Sequence, residues 1–267
     1  MEDHAHAKLS FMQLAGGGRI ARLELNRPDH ANAFSSQMMG EITKHALDVA
    51  QATDVRALVI TGHGKHFSAG ADLNWMQASA KLSYEENVAD ATQLRSMFEG
   101  IANLPIPKIA AVRGATYGGA VGLVACCDFA IATESARFCL SEAKLGLLPA
   151  VIAPYLLRKM SPGHLRRLAL TSRVFDAKEA KEAGLIEVIA TGELDDAVKT
   201  ELNSLLACGP EAQRAIHKLL NHLRDHAARQ GDETVAAISK ARTSPEGQSG
   251  LSSFFTKTNA PWVRILD

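Results

Sequence analysis

Long apolar runs are missing from this 267-residue sequence, and none approaches the ~18 residues that cross a bilayer as a helix. The opening MEDHAHAKLS also lacks the basic-then-apolar order of a secretory leader, so a soluble, cytoplasmic protein is expected. Excess charge is absent: 29 basic residues balance 29 acidic ones, which removes nonspecific attraction to nucleic acid or anionic membrane. Residues 35–54 hold only Lys44 and His45 as basic groups, and the most basic stretch, 218–229, includes Asp225. Neither makes the dense basic face that RNA binding requires, so no nucleic-acid partner is expected. Cysteine is scarce as well. Cys126 and Cys127 are adjacent and Cys139 and Cys208 stand alone, which gives neither a metal-ligand spacing nor a disulfide framework. Four buried, reduced thiols are expected, with no metal.

What is present is a foldable composition, 46% apolar and 22% charged, long enough for a sizeable core. Ala21, Leu23 and Leu25 alternate with Arg22 and Glu24, the two-residue period of a half-buried strand that Asn26-Arg27-Pro28-Asp29 ends. A helical period follows at Phe34, Met38, Ile42, Ala46 and Val49, with Ser35 or Ser36 as N-cap. VRALVIT (55–61) reads as a more continuously buried strand, and Val88, Ala91, Leu94, Phe98 and Ile101 mark a long amphipathic helix. Further strands are predicted at 109–112 and 129–132, with a glycine-rich turn into a helix at 114–125. Strands interleaved with helices predict an α/β core over residues 1–195. From 196 to 267 the texture is helical, with a stripe at Ala212, Ala215, Ile216, Leu219, Leu220 and Leu223. SPEGQSG (244–250) reads as a polar turn, and Phe254, Phe255 and Trp262 come late enough to need cover.

Two loops have the small residues that let a ligand approach the backbone. One is 65–73, KHFSAGADL; the other is 114–122, GATYGGAVG, which enters a helix where unpaired amides favour negative charge. Together they could form an oxyanion hole. Singly, each reads more readily as a tight turn. Glu142 stands in FCLSEAKLGLLP as one acid among apolar neighbours, where burial would raise its pKa toward the range of a proton carrier. A surface pair with Lys144 is the alternative. Asp128, between a helix and a strand, reads as a turn or cap residue. Tyr117 and His66 read as structural.

HFSAGADL, GATYGGAVGLVACCDFAIA and FCLSEAKLGLLP together resemble the enoyl-CoA hydratase/isomerase, or crotonase, superfamily. The likeness runs from Leu25-Asn26-Arg27-Pro28 to Pro261-Trp262. It implies a crotonase-like fold of ββα units, with the helical C-terminal region used in trimerisation as a homotrimer or homohexamer. It also implies an acyl-CoA substrate, no metal and no redox cofactor. By motif position it places substrate binding at Ala69, Gly70, Ala71, Asp72 and Gly119, with the Ala69 and Gly119 amides as oxyanion donors and Glu142 as acid/base. Lys65, Lys257 and Phe254 are implied contacts of the CoA portion, while Asp29 and His30 stand where relatives carry a basic residue.

One departure bears on the reaction. Hydratases of the family commonly hold water between two glutamates, whereas here Gly122 takes the first position and Glu142 alone the second. The wording around the sites resembles bacterial methylglutaconyl-CoA hydratases, which implies hydration of 3-methylglutaconyl-CoA in leucine-type catabolism. A lone glutamate also suits a Δ3,Δ2-enoyl-CoA isomerase, which shuttles one proton between two carbons. A carrier-protein thioester is a further alternative. For a carboxylate at the far end of the acyl chain, Lys81, Arg95, Arg137 and Lys144 are unranked candidates.

Overall fold

β1 (Ala7–Gln13) and β2 (Arg19–Leu25) form an antiparallel pair, Ala7 opposite Leu25. Only β2 shows clean alternation, because β1 lies at the sheet edge with Phe11 and Met12 exposed. Across residues 5–79, 81–225 and 244–264, which the computed structural model describes, a large sheet continues in parallel from β2. It adds β3 (Val55–Gly62), β4 (Lys108–Val112), β6 (Phe129–Thr133) and β9 (Val188–Ala190). Both faces are covered. Leu58, Ile60, Ala110 and Val112 point into the main core, while Ala57, Val59, Ile109 and Ala111 point into a second apolar layer. This two-sided burial is why VRALVIT reads as a run rather than an alternation.

α1 (Ser36–Gln51) starts where predicted: the Ser35 hydroxyl accepts from the Met38 amide at 3.1 Å, and Met38, Met39, Ile42, Ala46 and Val49 are buried. After α2 (Leu73–Ser79) comes α3 (Tyr84–Ala102), opened by a reciprocal Ser83–Glu86 capping box. Only its C-terminal half is buried, at Met97, Phe98 and Ile101; Val88 and Ala91, expected in the core stripe, are exposed.

A small sheet lies beside the large one, with β5 (Ala115–Tyr117) parallel to β7 (Arg137–Cys139), and β8 (Phe175–Asp176) antiparallel to β7. Residues 115–117, expected as part of a turn, are therefore a strand. Ser68 bridges in parallel to Thr116 on the other edge of β5. Each ββα unit thus gives one strand to each sheet before its helix: β3 then Ser68, β4 then β5, β6 then β7.

The remaining helices are α4 (Gly119–Ala125), α5 (Ala153–Lys159), α6 (Pro162–Thr171), α7 (Ala177–Glu182), α8 (Leu194–Leu206), α9 (Pro210–Asp225) and α10 (Pro245–Thr256). The division at residue 195 falls inside α8, whose Leu194, Val198, Leu202 and Leu206 complete the second apolar layer. SPEGQSG, expected as a turn, instead starts α10, with Pro245 in its first turn where a missing N–H costs nothing. The reason lies outside the segment: the Glu246 carboxylate accepts from the Glu211 and Ala212 amides, at 2.9 and 2.6 Å, at the start of α9. Three of the thiols are buried, but Cys208 is exposed, since the chain has left the core by that point. The side chains of Leu223, Phe254 and Phe255 and all of residues 226–229 lie outside the described residues. No described helix is long and apolar enough to cross a membrane.

Candidate active site

Parallel pairing brings three distant segments to one edge of the small sheet. Ser68 donates its amide to the Ala115 carbonyl at 3.1 Å, and the Tyr117 amide donates to the Ser68 carbonyl at 3.0 Å. Tyr117 is in turn in register with Cys139, whose carbonyl accepts from Gly118 at 2.8 Å. The residues just beyond these strands, Gly70–Ala71, Gly118–Gly119 and Ser141–Glu142, therefore emerge side by side. Ends of parallel strands are where α/β folds place their ligand sites. The approach is close: a Cβ on Gly70 would lie 2.5 Å from the Tyr117 carbonyl oxygen, and φ is +89° there. Gly118, at φ +51°, leaves the Glu142 carboxylate 3.4 Å from where its Cβ would be.

The loop after β3 is braced from behind. Asn32 is fully buried at φ +54°; its Oδ1 accepts from the Arg27 amide, and its Nδ2 donates to the His63 and His66 carbonyls at 2.9 and 2.8 Å. Asp72 pairs with Arg27 at 2.9 Å and accepts from the Asn74 and Trp75 amides at the start of α2. Burial pushes its carboxyl up, but Arg27 and these amides outweigh that and hold it below the ordinary value. The side chain of Asp72, expected to bind substrate, is thus committed to holding the loop.

One expected oxyanion donor is displaced. The Ala69 amide donates to the Ala31 carbonyl at 2.8 Å, so it is not available to a ligand. The Gly70 amide is also engaged, by the Ser68 hydroxyl at 3.1 Å. Two residues along the loop, the Ala71 amide has no acceptor among the described residues, and the same holds for Gly119. Both residues are half-exposed, so both amides can be reached. Phe34 links them: it exchanges backbone bonds with Gly70 and Asp72 on either side of Ala71, and its ring lies 3.3 Å from the Cβ position of Gly119. Ala71 and Gly119 thus each present an open amide at these strand ends.

Glu142 begins a short 3-10 turn, Glu142–Leu145. Its Oε2 is buried and has no hydrogen-bond partner among the described residues. Burial raises its pKa above the ordinary 4.5, against a weaker opposing effect from a backbone hydrogen bond. It makes no ion pair with Lys144, the alternative held open by the sequence. Gly122, at the position where the resemblance implies a second glutamate in hydratases, is backed by Ile152: a Cβ there would lie 2.2 Å from Ile152 Cγ2. The apolar side chain fills the space that a longer residue at 122 would need.

The other candidates are placed more plainly. His66 accepts from the Ala115 amide through Nδ1 at 3.0 Å and is structural. Asp128 accepts from the Lys108 amide and ammonium, as a turn residue should. Arg137 donates to the Glu134 and Ala136 carbonyls on its own turn. Lys65, Lys81, Lys144 and Lys257 are exposed. Asp29 and His30, with Asn26 and His63, line a hollow of about 340 Å³. Sequence reasoning missed that the Ala69 amide is engaged while that of Ala71 is open, and missed Asn32 as brace and Ile152 as filler. Of these only Asn32, next to a proline turn, carried a local signal.

The sequence profile of the enoyl-CoA hydratase/isomerase family matches residues 16–264. The crystal structure of an enoyl-CoA hydratase from Shewanella pealeana superposes with a TM-score of 0.89 at 40% identity, covering 98% of this chain and 97% of that one. Among named relatives, enoyl-CoA hydratase ACTT6 of Alternaria alternata is 31% identical over 95% of this chain and 84% of its own length. A peroxisomal Delta(3,5)-Delta(2,4)-dienoyl-CoA isomerase of Arabidopsis thaliana is 31% identical over 90% of this chain and 91% of its own. Fold, paired amides and sequence agree that this chain is an enzyme belonging to the enoyl-CoA hydratase/isomerase family.

Proposed function

We propose that the enzyme adds water across the 2,3 double bond of an acyl-CoA thioester, with 3-methylglutaconyl-CoA as its substrate. The observation that carries this reading is the buried, unpartnered Glu142 oxygen beside two free amides. In the proposed reaction the thioester oxygen accepts from the Ala71 and Gly119 amides. The Glu142 carboxylate takes a proton from water as the water oxygen bonds to C3, and the double-bond electrons move through C2 onto the thioester oxygen. The enolate then collapses, and C2 receives the proton from the Glu142 carboxyl. Each amide is asked for roughly 3–4 kcal/mol of enolate stabilisation. No electron leaves the substrate and no step calls for a metal.

Ile152 behind Gly122 favours a second reading, since it leaves one carboxylate to manage every proton. A Δ3,Δ2-enoyl-CoA isomerase needs only that: Glu142 would take a proton from C2 and return it to C4. Absorbance separates the two. Loss of the enoyl-thioester band from 3-methylglutaconyl-CoA or crotonyl-CoA supports the hydratase; a gain from a 3-enoyl-CoA with no hydration overturns it. In both, Glu142→Gln is expected to lower kcat by about 10²–10⁴ while acyl-CoA still binds.

The proposed assembly is a homotrimer or homohexamer. Leu145 at the end of the 3-10 turn, Leu147 and Leu148 after it, and Ile216 and Leu220 on α9 stand exposed, and a second copy would cover such surface. Sedimentation at a monomer mass would overturn it.

A further inference from the structure

A groove of about 480 Å³ lies between α3 and α5, within the roughly 300–1,000 Å³ of small-molecule sites. Val88, Ala91 and Val151 give it apolar walls, and Arg95, Tyr155 and Arg158 line it with donors. Two packed rings stand between it and the reaction site, Tyr155 on the groove side and the buried Phe98 on the other. Tyr155 packs on Phe98 with centroids 5.8 Å apart, and Phe98 lies 3.7 and 3.4 Å from the Cβ positions of Gly119 and Gly122.

The charges in the groove do not balance. Arg95 is 3.5 Å from Glu99, which also lines it. Arg158 lies over the Tyr155 ring at 5.3 Å and has no carboxylate partner among the described residues. Two guanidinium groups against one carboxylate leave one positive charge beside apolar walls. Burial foremost, with Cys126 and Glu99, pushes the Tyr155 phenol up to about 12, so it stays protonated and able to donate. A wall of that character suits a hydrocarbon chain ending in a carboxylate.

We propose that this groove receives the far end of the acyl chain and that Arg158, with the Tyr155 hydroxyl, pairs with a terminal carboxylate there. The substrate class is then the thioester of a dicarboxylic acid. This rests on the acyl-CoA reading of the site, and of the cations raised by the sequence it selects Arg95 as the groove's supporting charge while adding Arg158, which was not among them.

Two unreactive thioesters of equal carbon number, glutaryl-CoA and pentanoyl-CoA, test it by calorimetry without any turnover. The wild-type protein should bind glutaryl-CoA roughly five- to tenfold more tightly, the preference shrinking as salt is raised. Arg158→Gln should bring the two within about twofold, and Arg158→Lys should restore part of the difference. Equal binding of both by the wild-type protein would overturn the dicarboxylate proposal, and 3-methylglutaconyl-CoA as substrate with it, and leave hydration of an acyl-CoA standing. Binding of neither would overturn both.

Discussion

Glu142 holds its proton more firmly than a free glutamate because the fold removes water from the carboxylate and supplies no cation in exchange. The consequence for stability has a definite sign. In the unfolded chain the group titrates near 4.5; in the folded chain it titrates higher. Between those values the native state binds more proton than the unfolded one, so stability falls as pH rises through that window and the loss persists above it. Glu142→Gln should therefore raise Tm at pH 7–8 in a thermal melt, and the gain should vanish below the unfolded value. The same shift puts the acid limb of kcat/KM above 4.5, a displacement a pH–rate profile reads directly. Gly122 is the second test at this scale. Gly122→Ala would set a methyl 2.2 Å from Ile152 Cγ2 and 2.6 Å from its Cβ, an overpacking expected to cost about 1–3 kcal/mol. Ile152→Gly empties that space, so the double variant should lose less than the sum of the singles in denaturant titration. The gap in the glutamate pair was legible in the sequence; its filler, thirty residues further on, was not. Nor was the Ala31 carbonyl that occupies the Ala69 amide, because motif position carries no information about which N–H a distant loop has already engaged.

At the scale of elements, the site depends on loops holding their place at the ends of short strands. Asn32 ties the turn after β2 to the loop after β3 with three hydrogen bonds, in a left-handed conformation that asparagine tolerates better than most residues. Asn32→Ala strands a buried amide and two carbonyls, and about 2–4 kcal/mol of stability should go with them. Because the released loop carries the Ala71 amide, kcat/KM should fall in protein that remains folded, which separates positioning from simple unfolding. Elements with strong internal periods were legible: β2, β3, α1 and the buried half of α3. Those made by tertiary pairing were not. β5 and β7 are three residues each and are strands only because Ser68, Thr116 and Phe138 line up side by side. α10 is a helix through SPEGQSG because Glu246 is drawn to the start of α9.

At the scale of the molecule, the question is how the C-terminal helices stay attached to the α/β core. Asp128 is the joint. It accepts the Lys108 amide at 2.8 Å, sits 3.2 Å from the buried Lys108 ammonium and 3.6 Å from His217 Nε2 on α9. Lys108 also donates to the Leu104 and Ile106 carbonyls, so its charge is fully engaged as long as Asp128 is ionised. Asp128→Asn would leave that ammonium without a counter-charge, at an expected cost of about 3–5 kcal/mol. The joint also titrates. Burial foremost lowers the His217 pKa below 6.5; Asp128 opposes this and Lys108 adds to it. With the folded value depressed, the unfolded state binds more proton between the two values, so this contribution is present above 6.5 and is lost as pH falls through the window. Removing the Asp128 charge deepens the depression and should widen the window downward. Hydrogen-exchange protection across α9, taken relative to the intrinsic exchange rate at each pH, should therefore fall as pH drops below 6.5 in the wild-type protein, fall more steeply in Asp128→Asn, and lose that dependence in His217→Gln. An unchanged pH dependence in His217→Gln would place the joint elsewhere, and the Arg214 bond to the Thr53 carbonyl at 2.8 Å is a direct tie from α9 to the turn before β3.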